Sequence, residues 1–337
     1  MNYVLLLGAG FSKNWGGWLG AEAFEYLLGY PAIRNNATLR DILWKHQSAG
    51  GFEAALADVQ NAYRSNPASH KANLDAIQGG VSKMFDDMNS AFLESRFNFQ
   101  FRQPSIDRNV VTFLSKFDAI FTLNQDLLLE GHYLTTNLAE GPPPLRHWRW
   151  HDLPGMRLDP NSEDHGYQKW ALDRWIPANP EDFVIKAGAQ PLFKLHGSSN
   201  WESADRDRLM IIGGNKTTGI QLHPILGWYA KQFDEFLQRP KTRLMIIGYG
   251  FRDDHINEAI NRAVNGPSEL KFFNISPQGS EQAMSMNPTR NRNQIILETQ
   301  LESMFKKGLI GASRRPLSSI FSDDIIEHGK VQLFFET

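Results

Sequence analysis

The sequence predicts an α/β protein: a doubly wound, mostly parallel sheet with a helical insertion. Three observations carry that expectation. Short apolar runs alternate with helical stretches in the second half of the chain, as they do where each parallel strand is followed by a crossover helix. The first such run, residues 3–7, breaks at once into Gly8-Ala9-Gly10-Phe11-Ser12. A strand ending in closely spaced glycines turns tightly enough to bring backbone N–H groups to a phosphate pair. Between about residues 20 and 93 the pattern is helical and holds no convincing strand.

Each element follows in chain order. Residues 3–7 form the first strand and lead into the glycine turn. Thr38 is the expected N-cap of a helix opening at Leu39-Arg40-Asp41. Leu74, Ile77, Val81, Met84, Met88 and Phe92 recur three and four residues apart, an amphipathic stripe. It reads as the core of a helical insertion, with a lid or a partner-binding bundle as the functional alternative. Residues 118–123 read as a buried strand. A poorly periodic region, about 135–184, contains Pro142-Pro143-Pro144 and the tryptophans Trp148, Trp150, Trp170 and Trp175. Those rings call for burial, so an ordered excursion over the site is expected rather than a linker. Strands resume at 191–195, 209–212, 243–247 and 269–275, with helices at 225–237 and 255–264 between them. A helix near 294–307 precedes a terminal strand at 331–335.

Composition narrows the function classes. The chain has 337 residues, enough for one large domain or two modest ones, and a net charge of −2. A protein that binds nucleic acid by neutralising phosphates carries a basic excess, which is absent here. There is no cysteine, which excludes disulfides, a cysteine nucleophile and any thiolate zinc site. No apolar run reaches bilayer length. Residues 4–7 are too short for a signal-peptide core and lack a basic leader, so a soluble cytoplasmic protein is expected.

Three further motifs stand at the ends of apolar runs: Thr122-Leu123-Asn124-Gln125-Asp126, Lys194-Leu195-His196-Gly197-Ser198 and Gly248-Tyr249-Gly250-Phe251. Open α/β sheets place ligand-contacting groups there. The glycine turn alone is a partial fingerprint, because Lys13 stands where the third glycine of G-x-G-x-x-G would be.

In this order the four motifs resemble the sirtuin (Sir2) superfamily. Gly8 to Ser12 match its Gly-Ala-Gly-x-Ser turn. Asn124 and Asp126 match its Gln-Asn-x-Asp motif, with Leu123 in place of the Gln. Leu195 to Ser198 match the segment holding its catalytic histidine. Gly248-Tyr249-Gly250 and Phe273-Asn274 echo its later strand ends more loosely. The resemblance implies a Rossmann-like fold and a single Sir2-like domain over residues 1–337. Its core would span about 1–19, 105–134 and 185–290, with the helical insertion at about 20–100, the Trp/Pro-rich excursion at about 135–184 and a C-terminal segment at about 291–337.

Two departures point within the superfamily. The four-cysteine zinc module and the Phe-Gly-Glu motif of deacylases are missing; the chain runs instead to Met210-Ile211-Ile212-Gly213-Gly214. The stretches 194–201 and 248–257 and the early helices look like the Sir2-like NADase effectors of bacterial antiphage defence. That resemblance implies NAD+ hydrolysis to nicotinamide and ADP-ribose in the bacterial cytoplasm, with NAD+ as substrate and no zinc or other cofactor. It also implies a homo-oligomer or a defence partner such as a HerA-type ATPase or a short Argonaute. No membrane and no direct sequence-specific nucleic-acid binding are expected.

The resemblance makes Asn124 and His196 the catalytic pair. An amide that both donates and accepts suits orientation of a water or ribose hydroxyl, and a histidine can take its proton. Gly8, Ala9, Gly10, Phe11 and Ser12 would line the pyrophosphate, Asp126 would help hold the nicotinamide carboxamide, and Gly248 and Asn274 would meet the adenosine half. Plainer readings stand beside these. His196 could be a satisfied structural histidine and Asn124 a turn cap. Asp253 and Asp254 read as caps of the helix at 255. His147, His151 and Asp152 have metal-compatible spacing but fit a packed loop better, and Arg146, Arg149 and Arg157 read as solvated charge. Two other functions remain open: a non-catalytic sensor of NAD or ADP-ribose, and ADP-ribosyl transfer or deacylation. Cyclisation is a further alternative to hydrolysis.

Overall fold

A computed structural model describes residues 1–48, 50–94, 101, 108–135, 148–162, 172–203, 205–214, 216–287 and 298–336. Its strands are β1 (Asn2–Leu7), β2 (Ala119–Thr122), β3 (Trp150–Asp152), β4 (Met156–Leu158), β5 (Trp175–Pro177), β6 (Ala189–Lys194), β7 (Gly197–Glu202), β8 (Arg208–Met210), β9 (Thr242–Ile247), β10 (Lys271–Ile275) and β11 (Leu309–Ser313).

Seven of them form one sheet in the order β11-β10-β9-β1-β2-β6-β3, and every pairing in it is parallel. Strands of such sheets are covered on both faces and read as unbroken apolar runs. Val4 to Leu7 and Leu244 to Ile246 are accordingly 0% exposed. Phe121 and Phe193 stack across β2 and β6 with centroids 4.7 Å apart. The chain runs from β1 to β2 and β6 on one side, then returns to β9, β10 and β11 on the other. The order therefore reverses beside β1, and the crevice at the carboxyl ends of its neighbours is where doubly wound sheets receive ligands. This is a Rossmann-like α/β fold, and a chain without cysteine has no thiolate zinc module.

A second sheet, β4-β5-β7-β8, grows directly from the first, because only Leu195 and His196 separate β6 from β7. Gly197 makes that junction possible. Its φ is +75°, and a Cβ there would lie 2.1 Å from the Leu209 carbonyl oxygen on the adjoining chain, so only glycine fits.

The region between β1 and β2 is helical, with helices Gly20–Gly29, Pro31–Arg34, Ala37–His46, Gly51–Ser65 and Pro67–Glu94. Ile77, Val81, Met84, Met88 and Phe92 bury one face of the 28-residue helix Pro67–Glu94, and Leu74 packs against the same core. Asn89, on that helix, donates to Ser199 Oγ at 2.9 Å and accepts from Leu127 N–H at 2.9 Å. One buried amide thus ties the insertion to two strand-end segments.

Several sequence expectations need correction. The helix beginning at Ala37 is capped by Asn36, whose side chain accepts from Leu39 N–H; Thr38 lies inside it. Residues 331–335 are not a strand. The helix Ile325–Gln332 runs into a 3-10 turn, Leu333–Phe335, because β11 already occupies the sheet edge beside β10. The adjacent Phe334 and Phe335 pack instead against Tyr3, whose hydroxyl donates to the Phe335 carbonyl at 2.8 Å. Residues 150–152, 156–158, 175–177 and 197–202 form strands that periodicity did not reveal, each too short or too mixed to signal itself. Trp148 donates to the Phe117 carbonyl at 3.1 Å, but Trp150 is 45% exposed on the edge strand β3. Arg149 and Arg157 are exposed. Pro142-Pro143-Pro144, Arg146, His147, Trp170 and the opening of the helix expected from 294 lie outside the described residues.

Candidate functional site

The glycine turn sits where β1 meets β9. Gly8 N–H donates to the Ile247 carbonyl at 3.0 Å and Gly10 N–H to the Gly248 carbonyl at 2.9 Å. The two segments are so close that a Cβ on Gly248, whose φ is +67°, would fall 2.3 Å from the Phe11 nitrogen. Gly248 therefore acts here by letting the turn close. Phe11 is buried and packs on Trp15, anchoring the turn, while Ala9 is exposed at its crest.

Ser12 is the hinge of a hydrogen-bond chain across the strand ends. Its hydroxyl accepts from Asn124 Nδ2 at 3.0 Å and donates to Asp126 Oδ1 at 3.1 Å. Asp126 Oδ1 also accepts from Leu128 N–H. The amide of Asn124 is thereby fixed with its nitrogen inward, and its Oδ1 is buried with no hydrogen-bond partner. Buried acceptors are almost always satisfied, so an exception calls for an explanation. Ser12, Asn124, Asp126, Glu130 and Lys194 enclose a gap beside it that is too small to admit a water molecule.

Beneath this chain lies a buried charge. Lys194, the last residue of β6, is 0% exposed. Its ammonium pairs with Glu130 and donates to the Asp126 carbonyl oxygen at 2.7 Å. Burial pushes the Asp126 and Glu130 carboxyls above their ordinary range, and the Lys194 charge opposes that rise.

His196 follows on the two-residue link to β7 and is 2% exposed. Its Nε2 lies 3.1 Å from Nε2 of His255, so one ring donates and the other accepts. Burial drives His196 down to about 3, against the Asp253 carboxylate, with Lys216 and His255 adding to the fall. His255 is lowered for the same first reason. Burial thus favours the neutral form of both rings.

Asp253 opens the helix Asp254–Asn265 but makes no side-chain cap bond, contrary to the capping expectation. Its Oδ1 accepts from Lys216 Nζ at 2.7 Å, and Lys216 reaches Glu53 Oε2 at 2.8 Å. Among the described residues, His196, Asp253 and His255 form the one group with three metal-capable atoms within 4.8 Å of one another. The Lys216 ammonium against Asp253 opposes further positive charge there, whether an ion or a proton on either imidazole. His151 stands apart on β3, lowered to about 4 by burial. Asp152 beside it pairs with Lys186.

The strand ends thus bring together Gly8, Ala9, Gly10, Phe11, Ser12, Asn124, Asp126 and Gly248, with His196 on the link that follows β6. Asn274 is different: it is 0% exposed, and its amide nitrogen braces the turn after β10 through Ser276 Oγ and the Gly279 carbonyl. Sequence reasoning missed Lys194, Glu130, Asn89 and the Glu53–Lys216–Asp253–His255 series. Lys194 and Asp253 left traces, the first as a cation at the end of an apolar strand and the second as an expected helix cap. A cavity of about 400 Å³ opens beyond Leu127 and Ser199, rimmed by Arg174, Arg206 and Arg208. It flanks the strand-end site and does not include its catalytic candidates.

The model of the SIR2-like domain family matches residues 118–294, more than half of the chain. No curated protein matches it. Among the described residues, no helix is long and apolar enough to cross a membrane.

Proposed function

This chain belongs to the SIR2-like domain family, and we propose that it hydrolyses NAD+ to nicotinamide and ADP-ribose. The observation that carries the reading is the unpartnered Asn124 Oδ1, held in place by Ser12 and Asp126. In the reaction the bond between the nicotinamide nitrogen and the ribose anomeric carbon breaks. Its electron pair leaves with nicotinamide, which becomes neutral, and positive charge builds on the ribose. Water adds to that carbon and gives its proton to the base.

Asn124 Oδ1 accepts a hydrogen bond from the attacking water or a ribose hydroxyl and fixes its orientation. The neutral His196–His255 pair receives the released proton; positioned acid–base catalysis contributes about 10²–10⁴-fold. Asp126 and Ser12 hold the amide, and the turn at Gly8 to Gly10 receives the pyrophosphate. Gly248 closes that turn, and the segment braced by Asn274 lies toward the adenosine half. The biological role proposed with this chemistry is NAD+ depletion in bacterial antiphage defence. The chain would act in the cytoplasm, held latent in a homo-oligomer or by a partner such as a HerA-type ATPase or a short Argonaute.

Incubation of the purified chain with NAD+, followed by chromatography of the products, tests the reaction. Equimolar nicotinamide and ADP-ribose without any added acceptor is expected. Nicotinamide release that requires an acceptor, or tight NAD+ binding with no products in the presence of every partner it copurifies with, would overturn it.

A further inference from the structure

The histidine pair is not isolated. From the helix Gly51–Ser65 of the insertion, Glu53 meets Lys216 at 2.8 Å, Lys216 meets Asp253 at 2.7 Å, and Asp253 faces both His196 and His255 within 4.8 Å. The insertion also packs directly on the loop that delivers Lys216: a Cβ on Gly213 would lie 3.2 Å from the Glu53 carbonyl. Asp253 itself is held rigidly. Its N–H donates to the Tyr249 hydroxyl at 3.1 Å, that hydroxyl lies 3.0 Å from Asn257 Oδ1, and Asn257 Nδ2 donates to the Phe251 carbonyl at 2.9 Å.

The charges of this series have a simple sum. Glu53 and Asp253 are anions and Lys216 is a cation, so with both imidazoles neutral the cluster carries one net negative charge. A single proton on the histidine pair completes neutrality. A carboxylate held beside an imidazole favours the proton there, and an ammonium disfavours it. We propose that Asp253 and Lys216 are positioning residues: clamped together, and steadied from the insertion by Glu53, they hold His255 against His196 so that the two rings act as one proton acceptor. This rests on the hydrolase reading for its use in catalysis, though the cluster itself does not. Asp254 and Glu258 also face His255 with negative charge, and they lie on its own helix.

The test reads the pH dependence of nicotinamide release in Asp253→Asn, Lys216→Met and Glu53→Gln, with histidine ring-proton NMR titrations of the same proteins. If the neutral pair is the base, activity falls on the acid side as the pair becomes protonated. Asp253→Asn removes a favouring anion, so the acid limb moves to lower pH, and kcat drops about tenfold or more while KM holds. Lys216→Met removes the opposing cation, so the limb moves to higher pH. Because burial already holds His196 at about 3, the readable shift is the rise in Lys216→Met, about one pH unit or more, and Asp253→Asn moves the limb the opposite way. Glu53→Gln, at a half-exposed position with little folding risk, moves the limb slightly in the direction of Asp253→Asn. A merely structural role lowers activity in both clamp variants without moving the limb apart, and that result, or movement in the same direction, overturns the proposal. If the wild type releases no nicotinamide even with every partner it copurifies with, the hydrolase reading fails. The NMR titration then decides the clamp alone: His196 and His255 titrating at unchanged pH in all variants refutes it.

Discussion

Lys194→Met perturbs the floor of the site without touching its open face. The ammonium is fully buried between the Glu130 carboxylate and the Asp126 carbonyl. Glu130 Oε2 already lacks a hydrogen-bond partner, so the loss of Lys194 leaves a buried carboxyl uncompensated. Breaking a buried pair by removing one partner costs about 3–5 kcal/mol. Unfolding entropy of about 2.1 cal/mol/K per residue over 337 residues gives about 0.7 kcal/mol/K. The melting temperature should therefore fall by about 4–7 °C near neutral pH, read by circular dichroism. Without its cation Glu130 takes up a proton more readily, so the deficit should shrink as pH is lowered. The double variant Lys194→Met/Glu130→Gln, which removes both charges, should regain much of the loss. A single variant melting within about 1 °C of the wild type, or a double variant no better than the single, would refute the buried-pair reasoning.

Other outcomes follow from the same geometry. Ser12→Ala removes the link that fixes the Asn124 amide and should lower kcat/KM for nicotinamide release by about ten- to a hundredfold, the cost of a lost hydrogen bond to a charged group; steady-state kinetics read it. Gly248→Ala forces a Cβ to 2.3 Å from the Phe11 nitrogen at a φ of +67°, and thermal unfolding should show the larger loss of stability of the two variants. His151, at about 4 when folded against 6.5 as its ordinary value, binds fewer protons folded than unfolded. Its stabilising effect is complete above pH 6.5 and is lost as pH falls from there toward 4. At pH 5.5 the loss is about 1.4 kcal/mol, and His151→Phe should flatten that part of the stability profile measured by chemical denaturation.

Much of the fold is legible because parallel strands announce themselves. The runs at 3–7, 118–123, 243–247 and 269–275 are apolar on both faces and bounded by glycine or asparagine turns, and strands stand at each. The short strands at 150–152, 156–158 and 175–177 were illegible, because three residues cannot establish a period. The terminal segment 331–335 is apolar at four of its five positions, as a strand can be, but the sheet edge it needed belongs to β11. Asn124, Ser12, Asp126 and His196 could be singled out because each follows an apolar run. Asp253 could not, since an aspartate before a helix is the ordinary sign of a cap. Only the tertiary approach of Lys216 from one side and the histidine pair from the other gives it a different task. Lys194 and Glu130 hid for a similar reason, their partnership lying across 64 residues of chain.

The most direct measurement is nicotinamide release from NAD+ by the wild type beside Asn124→Ala and His196→Ala, each variant checked for folding by its melting curve. Turnover in the wild type and its collapse in both folded variants is the expected result. Turnover that survives either substitution would contradict the assignment of the reaction to this pair, wherever else on the chain the NAD+ is bound.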